Sequence, residues 1–315
     1  MECVCRDDRI AMAKQPAKDI PKALRRAFGG IAVPLNRYGS KRRLARRIAN
    51  LLPEHTVYVE VFGGTAAVLL AKPISPMEVY NDIDGEVVNF FTVLREKPGE
   101  LIARCFLQPF AHTDFLKYRD EPIPNDPVER AARYMFLVNS AFNFQDYRNS
   151  KFSTHISMGT LPEPESVAKW WVAKVNKLVW FALRFRDVII ENRDFEEVLH
   201  TYDRPETVFF CDPPYTQGVH AWSPAEHLRL ARCLKNLKGK FLLTIDDSSL
   251  SRQLYKDFNL VAVFGSPNGM ASRGSRQGML YRHLCFANYD VGVKGCPHDD
   301  EPETEPTPHD DEGVE

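Results

Sequence analysis

Asp212-Pro213-Pro214-Tyr215 is the stretch of this chain best suited to chemistry. A carboxylate beside a prolyl carbonyl can accept both hydrogens of an NH2 group, while the aromatic ring beyond them stacks on a flat heterocycle. That combination suits chemistry on the exocyclic amine of a nucleobase. The four residues follow Thr207-Val208-Phe209-Phe210-Cys211, a β-branched and aromatic run that reads as a buried strand. Two prolines lack N–H donors and fix φ, so the strand must end there. Carboxyl ends of strands are where open α/β sheets bind ligands. The plainer alternative is a turn capped by its Asp, as in most Asp-Pro pairs.

A second constellation lies upstream. Phe62-Gly63-Gly64 follows the apolar run Val57–Val61 and precedes the short apolar helix Thr65–Ala71. The glycines turn strand into helix and let a ligand approach the backbone. Asp82 ends the next strand, Glu78–Tyr80, about 20 residues on, where an acid accepts hydrogen bonds from ribose hydroxyls. There is no complete Gly-x-Gly-x-x-Gly, which argues against NAD or FAD. Glu60 and Asp84 read as strand-end or cap residues. Asp194-Phe195 follows the strand 187–190 and reads by default as a helix N-cap; the alternative is an acceptor for an adenine amine, with Phe195 flanking the ring.

The elements that must hold these residues alternate. Ser40 reads as the cap of a basic helix running to about Leu52, and Gly85–Glu96 as the helix after Asp82. From Pro98 to about Leu183 the pattern is helical, strongest over Pro127–Phe142 and Glu165–Phe185, with Trp170 and Trp171 as packing residues. Between those helices lies a polar, basic loop, Asn143–Gly159, containing Arg148 and Lys151. Strand–helix alternation then resumes, and Leu260–Phe264 and Leu280–Asn288 fall close enough for an antiparallel edge hairpin. The expected fold is α/β, a doubly wound, mostly parallel Rossmann-like sheet interrupted by a helical insert far longer than an ordinary connection. The expected division is a loosely ordered extension (1–33), a core domain (34–97 and 186–290), the insert (98–185) and an acidic tail (291–315).

The charge is unevenly distributed. Nine of the 42 acidic residues lie in 295–315, which has no Lys or Arg; the rest of the chain carries 41 basic residues against 33 acidic, a net of +8. Arg37, Lys41, Arg42, Arg43, Arg46 and Arg47 crowd one short segment, which fits a polyanionic partner, although a solvated helix face has the same look. No apolar stretch is long enough to cross a membrane. The seven cysteines form no Cys-x-x-Cys pair and the histidines show no His-x-x-x-His spacing, so no metal centre is expected and a reduced cytoplasmic setting is the simplest. The absence of any Pro-Cys dipeptide leaves attack on a cytosine carbon without a nucleophile. His220 and Trp222 read as loop-surface residues, with contact to a nucleic acid or a cover over the site as the alternatives.

Together, Tyr38-Gly39-Ser40-Lys41, Glu60-Val61-Phe62-Gly63-Gly64, Asn81-Asp82 and Asp212–Tyr215 make the chain resemble, from about Arg37 to Tyr289, the DNA adenine methylase (Dam-like) family, particularly its phage and prophage members. These are S-adenosylmethionine-dependent DNA methyltransferases, some paired with restriction enzymes. The resemblance implies transfer of a methyl group to adenine N6 in double-stranded DNA after base flipping. It also implies that the core is a methyltransferase sheet and the insert a target-recognition region. Phe62, Gly63 and Gly64 would line the methionine half of S-adenosylmethionine, with Asp82 on its ribose, Asp194 on its adenine and Lys41 near the methyl donor. Asp212, the Pro213 carbonyl and Tyr215 would receive the target adenine. Asn143 would stand where the helix enters the DNA-recognition loop, and Arg148 and Lys151 would contact DNA within it. Phe144-Gln145-Asp146 replaces the family's Gly-Leu-Tyr-like continuation, which bears on whether the target is GATC. Methyl transfer to RNA or another amine, and a DNA-binding relative without catalysis, are the competing functions.

Overall fold

The computed structural model describes residues 31–142, 146–153, 167–217, 221–267 and 280–291. Asn143, Phe144, Gln145 and His220, most of the 1–33 extension and nearly all of the acidic tail lie outside them. Seven strands form one sheet: β1 (Val57–Glu60), β2 (Met77–Asn81), β3 (Ile189–Glu191), β4 (Thr207–Cys211), β5 (Lys240–Asp246), β6 (Asn259–Pro267) and β7 (Leu280–Ala287). Their spatial order is β3-β2-β1-β4-β5-β7-β6. The first five run parallel, and β7 is antiparallel to both β5 and β6. The edge hairpin expected from the sequence is therefore present, with its second strand slotted inside the sheet.

From β1 the chain winds outward through β2 to β3, then returns to place β4 on the other side of β1. This reversal is the topological switch point, the crevice where doubly wound sheets bind ligands. All of β4 and all but the first residue of β5 are buried, as parallel strands covered on both faces must be.

Helices cover the two faces. They are α1 (Ala45–Ala49), α2 (Ala67–Ala71), α3 (Gly85–Glu96), α4 (Pro98–Phe106), α5 (His112–Asp120), α6 (Pro127–Ser140), α7 (Val167–Val175), α8 (Leu178–Phe185), α9 (Phe195–Tyr202), α10 (Pro224–Lys235) and α11 (Ser249–Leu254). On one face Val59, Phe209, Phe241 and Phe195 pack with Leu230 and Tyr255. On the other, Tyr58, Tyr80, Phe90 and Phe91 share a single core with the insert's Phe115, Phe136, Phe181 and Phe185. Phe91 of α3 stacks on Phe185 of α8, with centroids 4.4 Å apart; burying each such ring contributes roughly 2 kcal/mol.

Polar contacts reinforce this junction. Arg184 of α8, 3% exposed, donates from Nη1 to Glu78 Oε2 (2.5 Å) and from Nη2 to Glu78 Oε1 (2.9 Å) and the Leu69 carbonyl (2.7 Å). Lys72 pairs with the same carboxylate. Burial acts to raise the Glu78 pKa, but Arg184 and Lys72 outweigh it and hold the carboxyl below its ordinary range. Arg130 of α6 binds Glu86 of α3, and Asn139 donates to the Pro34 carbonyl at 3.0 Å.

Two local expectations are corrected. The segment after Ser40 is regular helix only over Ala45–Ala49, and Ser40 Oγ lies 2.7 Å from Thr65 Oγ1 instead of capping it. Turns at 42–44 precede the helix, and Lys41 just before them is buried with its amine on Asp212. The single helix expected over Glu165–Phe185 is broken at Asn176-Lys177, where the chain turns so that α8 can lay Phe181 and Phe185 against the core. Trp171 is buried, with Nε1 donating to the Gln108 carbonyl at 3.0 Å, so it packs as expected.

Candidate active site

The switch point collects residues from five strands and the loops beyond them. Leaving β1, the chain reaches Phe62-Gly63-Gly64. The Gly63 N–H donates to the Asn81 carbonyl (2.7 Å), and a Cβ on Gly63 would stand 2.1 Å from the Tyr80 ring. Only glycine allows that approach. Gly64 and Ala66 both have left-handed backbone, at φ 49° and 56°. A Cβ on Gly64 would meet nothing within 4 Å, so the turn faces open space. Tyr80 Oη donates to the Gly64 carbonyl at 2.8 Å and fixes the turn from below.

Asp82, just past β2, accepts from the N–H groups of Gly64 (2.7 Å) and Asp84 (2.9 Å), one on each oxygen. A carboxylate offers about four lone-pair sites, so both oxygens keep capacity for a further donor. Burial pushes the Asp82 carboxyl upward against the opposing influence of Arg37. Arg37 binds Asp84 (2.8 Å) and Tyr134 Oη (2.9 Å), linking this corner to the insert. Asp84 also caps α3.

Asp194 occupies the N-cap of α9, accepting from Glu196 N–H at 3.0 Å, and forms an ion pair with Arg229. Its neighbour Phe195 belongs to an aromatic group with Phe62 (centroids 5.6 Å apart) and Trp222 (5.4 Å). Trp222 is half-buried against Phe62 as well, so it is not the loop-surface residue its position suggested.

At the end of β4, Asp212 receives two donors. Lys41 Nζ lies 2.7 Å from Oδ2, and Thr244 Oγ1 of β5 donates to Oδ1 at 2.7 Å. Lys41 also donates to the Gly39 carbonyl (2.9 Å) and stands 4.8 Å from the centroid of the Tyr215 ring. Pro213 is buried and Tyr215 half-buried. Beneath the motif, Glu60 is 2% exposed and accepts from Tyr58 Oη (2.8 Å) and Leu69 N–H (2.7 Å) on one oxygen. Burial raises its pKa to about 8.

Phe62, Gly63, Gly64, Asp82, Asp194, Asp212, Pro213 and Tyr215 thus follow the carboxyl ends of the neighbouring parallel strands β1 to β4, and Lys41 reaches the same end through Asp212. Arg148 and Lys151 do not join them. Arg148 is 69% exposed on a short 3-10 turn, Tyr147–Asn149, paired with Asp146 at 2.9 Å, and Lys151 is exposed beside it. Arg43 and Arg47 are exposed on the basic segment, and Arg47 lies over the Phe264 ring at 4.5 Å. Thr244 and Arg229 reach the crevice from long sequence distances and carried no motif. Among the described residues, no three His, Cys, Asp or Glu side chains are grouped to hold a metal, and no helix is long and apolar enough to cross a membrane.

A model of the D12 class N6 adenine-specific DNA methyltransferases matches residues 38–264. A type II methyltransferase, M1.LlaDCHI of Lactococcus lactis subsp. cremoris, is 29% identical over 262 residues, spanning 76% of this chain and 89% of that protein. The type II methyltransferase M.CviBI of Paramecium bursaria Chlorella virus NC1A is 23% identical over 230 residues, 70% of this chain and 85% of that one. The family match takes in the lysine turn, the glycine turn, the helices between β2 and β3 and the Asp-Pro-Pro-Tyr strand end: the chain belongs to the D12 class of N6 adenine-specific DNA methyltransferases and methylates adenine in DNA site-specifically.

Proposed function

We propose that the methyl donor is S-adenosylmethionine and that Asp212 acts on a flipped adenine. The observation that carries this reading is the adjacency of the Gly63-Gly64 turn, open to a ligand, and the Asp212 carboxylate at the ends of neighbouring strands β1 and β4. Residues suited to the donor are present: Gly64 faces open space, Asp82 keeps lone pairs for ribose hydroxyls, and Phe62, Phe195 and Trp222 offer aromatic surface for an adenine ring. When bound, the donor supplies an activated sulfonium methyl group.

Adenine N6 is a poor nucleophile because its lone pair is delocalised into the ring. Asp212 and the Pro213 carbonyl accept the two N6 hydrogens and favour a pyramidal nitrogen. The lone pair would take the methyl group as the donor's C–S bond broke to leave a neutral thioether, and the positive charge growing on nitrogen would lie beside the Asp212 carboxylate. The surplus proton then leaves N6 toward Asp212 or water. Tyr215 receives the base after it leaves the duplex stack. The insert, residues 98–185, serves target recognition through the loop that carries Asn143, Arg148 and Lys151, while Arg43 and Arg47 face the phosphate backbone. A bacterial or phage-infected cytoplasm is the corresponding setting.

Transfer of a labelled methyl group to duplex DNA, with RNA as the parallel substrate, tests the reading. Asp212→Ala should abolish transfer while calorimetric affinity for S-adenosylmethionine stays within about threefold, a difference below 1 kcal/mol. Near wild-type turnover in that variant, or binding of NAD without any response to S-adenosylmethionine, would overturn it.

A further inference from the structure

Tyr215 is anchored from the far side of the sheet by a residue that no motif predicts. His283 Nδ1 lies 2.8 Å from Tyr215 Oη, and the two rings meet edge to face with centroids 5.7 Å apart. His283 sits on β7, 9% exposed, paired in register with Asp246 of β5 and Phe264 of β6. Asp246 in turn binds the next residue of the Tyr215 loop, accepting from Thr216 N–H (2.9 Å) and its hydroxyl. A cross-strand pair, Asp246 and His283, therefore grips two consecutive residues of the segment that follows Asp212. Lys41 covers the face of the same tyrosine.

We propose that His283 is a positioning residue for the methyl transfer: its Nδ1 accepts a hydrogen bond from the Tyr215 hydroxyl and sets the plane of the ring that receives the target adenine. The proposal rests on the assignment of Tyr215 to the base pocket. A neutral imidazole is needed for Nδ1 to accept, and the surroundings enforce one. Burial, followed by the Lys41 charge, depresses the His283 pKa to about 3. Of the two neutral tautomers, the proposal takes the one with its proton on Nε2, which leaves Nδ1 to accept from the Tyr215 phenol. With the hydroxyl tethered and Lys41 on one face, the ring has one orientation in which to meet a flat base. A freely rotating ring would meet it in many, and misalignment at a reacting centre lowers turnover more than binding.

The test uses the full chain and a duplex containing the site found by methylation-aware sequencing. One lost neutral hydrogen bond corresponds to about a fivefold effect. His283→Leu should lower kcat by about fivefold, with KM for DNA and affinity for S-adenosylmethionine each changing less than twofold. Tyr215→Phe should lower kcat comparably, and the double variant should lose little more than either single one, because both remove the same bond. His283→Asn places an amide oxygen near the Nδ1 position and should restore most of the loss. Multiplicative losses in the double variant, or an Asn variant no better than the Leu variant, would overturn the proposal. If His283→Leu fails to fold, Tyr215→Phe against Tyr215→Phe/His283→Asn supplies the same comparison: with no hydroxyl to hold, the second change should have no further effect, and a further loss overturns the proposal. An active Asp212→Ala would instead overturn the underlying reading of the site, so the two failures are distinguishable.

Discussion

Replacing Glu60 by glutamine removes a charge that the folded protein resists carrying. Its carboxyl is 2% exposed at the end of β1, and burial raises its pKa from 4.5 to about 8. Between those values the folded state holds a proton that the unfolded chain has released. Stability from this group is therefore complete below pH 4.5 and is lost as pH rises to about 8. At about 1.36 kcal/mol per pH unit, the full interval amounts to roughly 5 kcal/mol, of which roughly 3 kcal/mol falls between pH 6 and pH 8. Glutamine keeps an oxygen for both existing donors, Tyr58 Oη and Leu69 N–H, and cannot ionise. Urea unfolding of both proteins at pH 6 and pH 9 isolates this effect, since the other titrating groups cancel in the difference. Glu60→Gln should gain about 3 kcal/mol relative to the native protein across that interval. A difference constant to within about 0.5 kcal/mol, near the accuracy of such extrapolations, would mean that Glu60 is already ionised at pH 6 and would refute the argument.

Three further outcomes follow from named contacts. Gly63→Ala drives a methyl group into the buried Tyr80 ring, so thermal melting should show a loss of about 1–3 kcal/mol, with weakened S-adenosylmethionine binding by calorimetry. Arg184→Met removes one of two cations from buried Glu78 and should destabilise the protein by about 3 kcal/mol in urea, whereas exposed Arg186→Met should change stability by less than about 0.5 kcal/mol. Arg148→Ala should relax sequence preference in a randomised DNA pool by about 1–3 kcal/mol at one base pair, whereas Lys151→Ala should weaken all sequences alike and flatten the salt dependence.

The parts of the site legible in the sequence are those written in consecutive residues. Asp212–Tyr215 must end a strand because prolines do so, and Gly63-Gly64 must turn because the next apolar run restarts at once. That both follow the same ends of neighbouring parallel strands also follows from strand alternation, given the doubly wound topology. Thr244 and His283 were not legible. They approach Asp212 and Tyr215 only because β5 and β7 lie beyond β4, and a lone Thr or His on an apolar strand gives no sign of its partner. The order β5-β7-β6 is equally invisible, since hairpin spacing predicts that β6 and β7 pair but not which of them faces β5. Trp222 was underestimated for a related reason: a loop residue's burial depends on what folds above it, here Phe62 and Phe195.

The buried junction between α8 and β2 bears on how the enzyme meets its substrate. Separating the insert from the catalytic sheet would unstack Phe91 from Phe185 and pull Arg184 away from Glu78, stranding part of a buried charge. A hinge cannot run through such a seam at thermal energies. The helical segment that shares this seam is therefore held at a set distance from the sheet that carries Asp212, like the jaws of a calliper rather than a hand. Duplexes must conform to that distance by bending, by opening a groove or by releasing a base. If the proposed recognition role of residues 98–185 holds, sequences that deform easily will be favoured at positions no side chain touches, and part of the enzyme's preference will lie in the stiffness of its DNA.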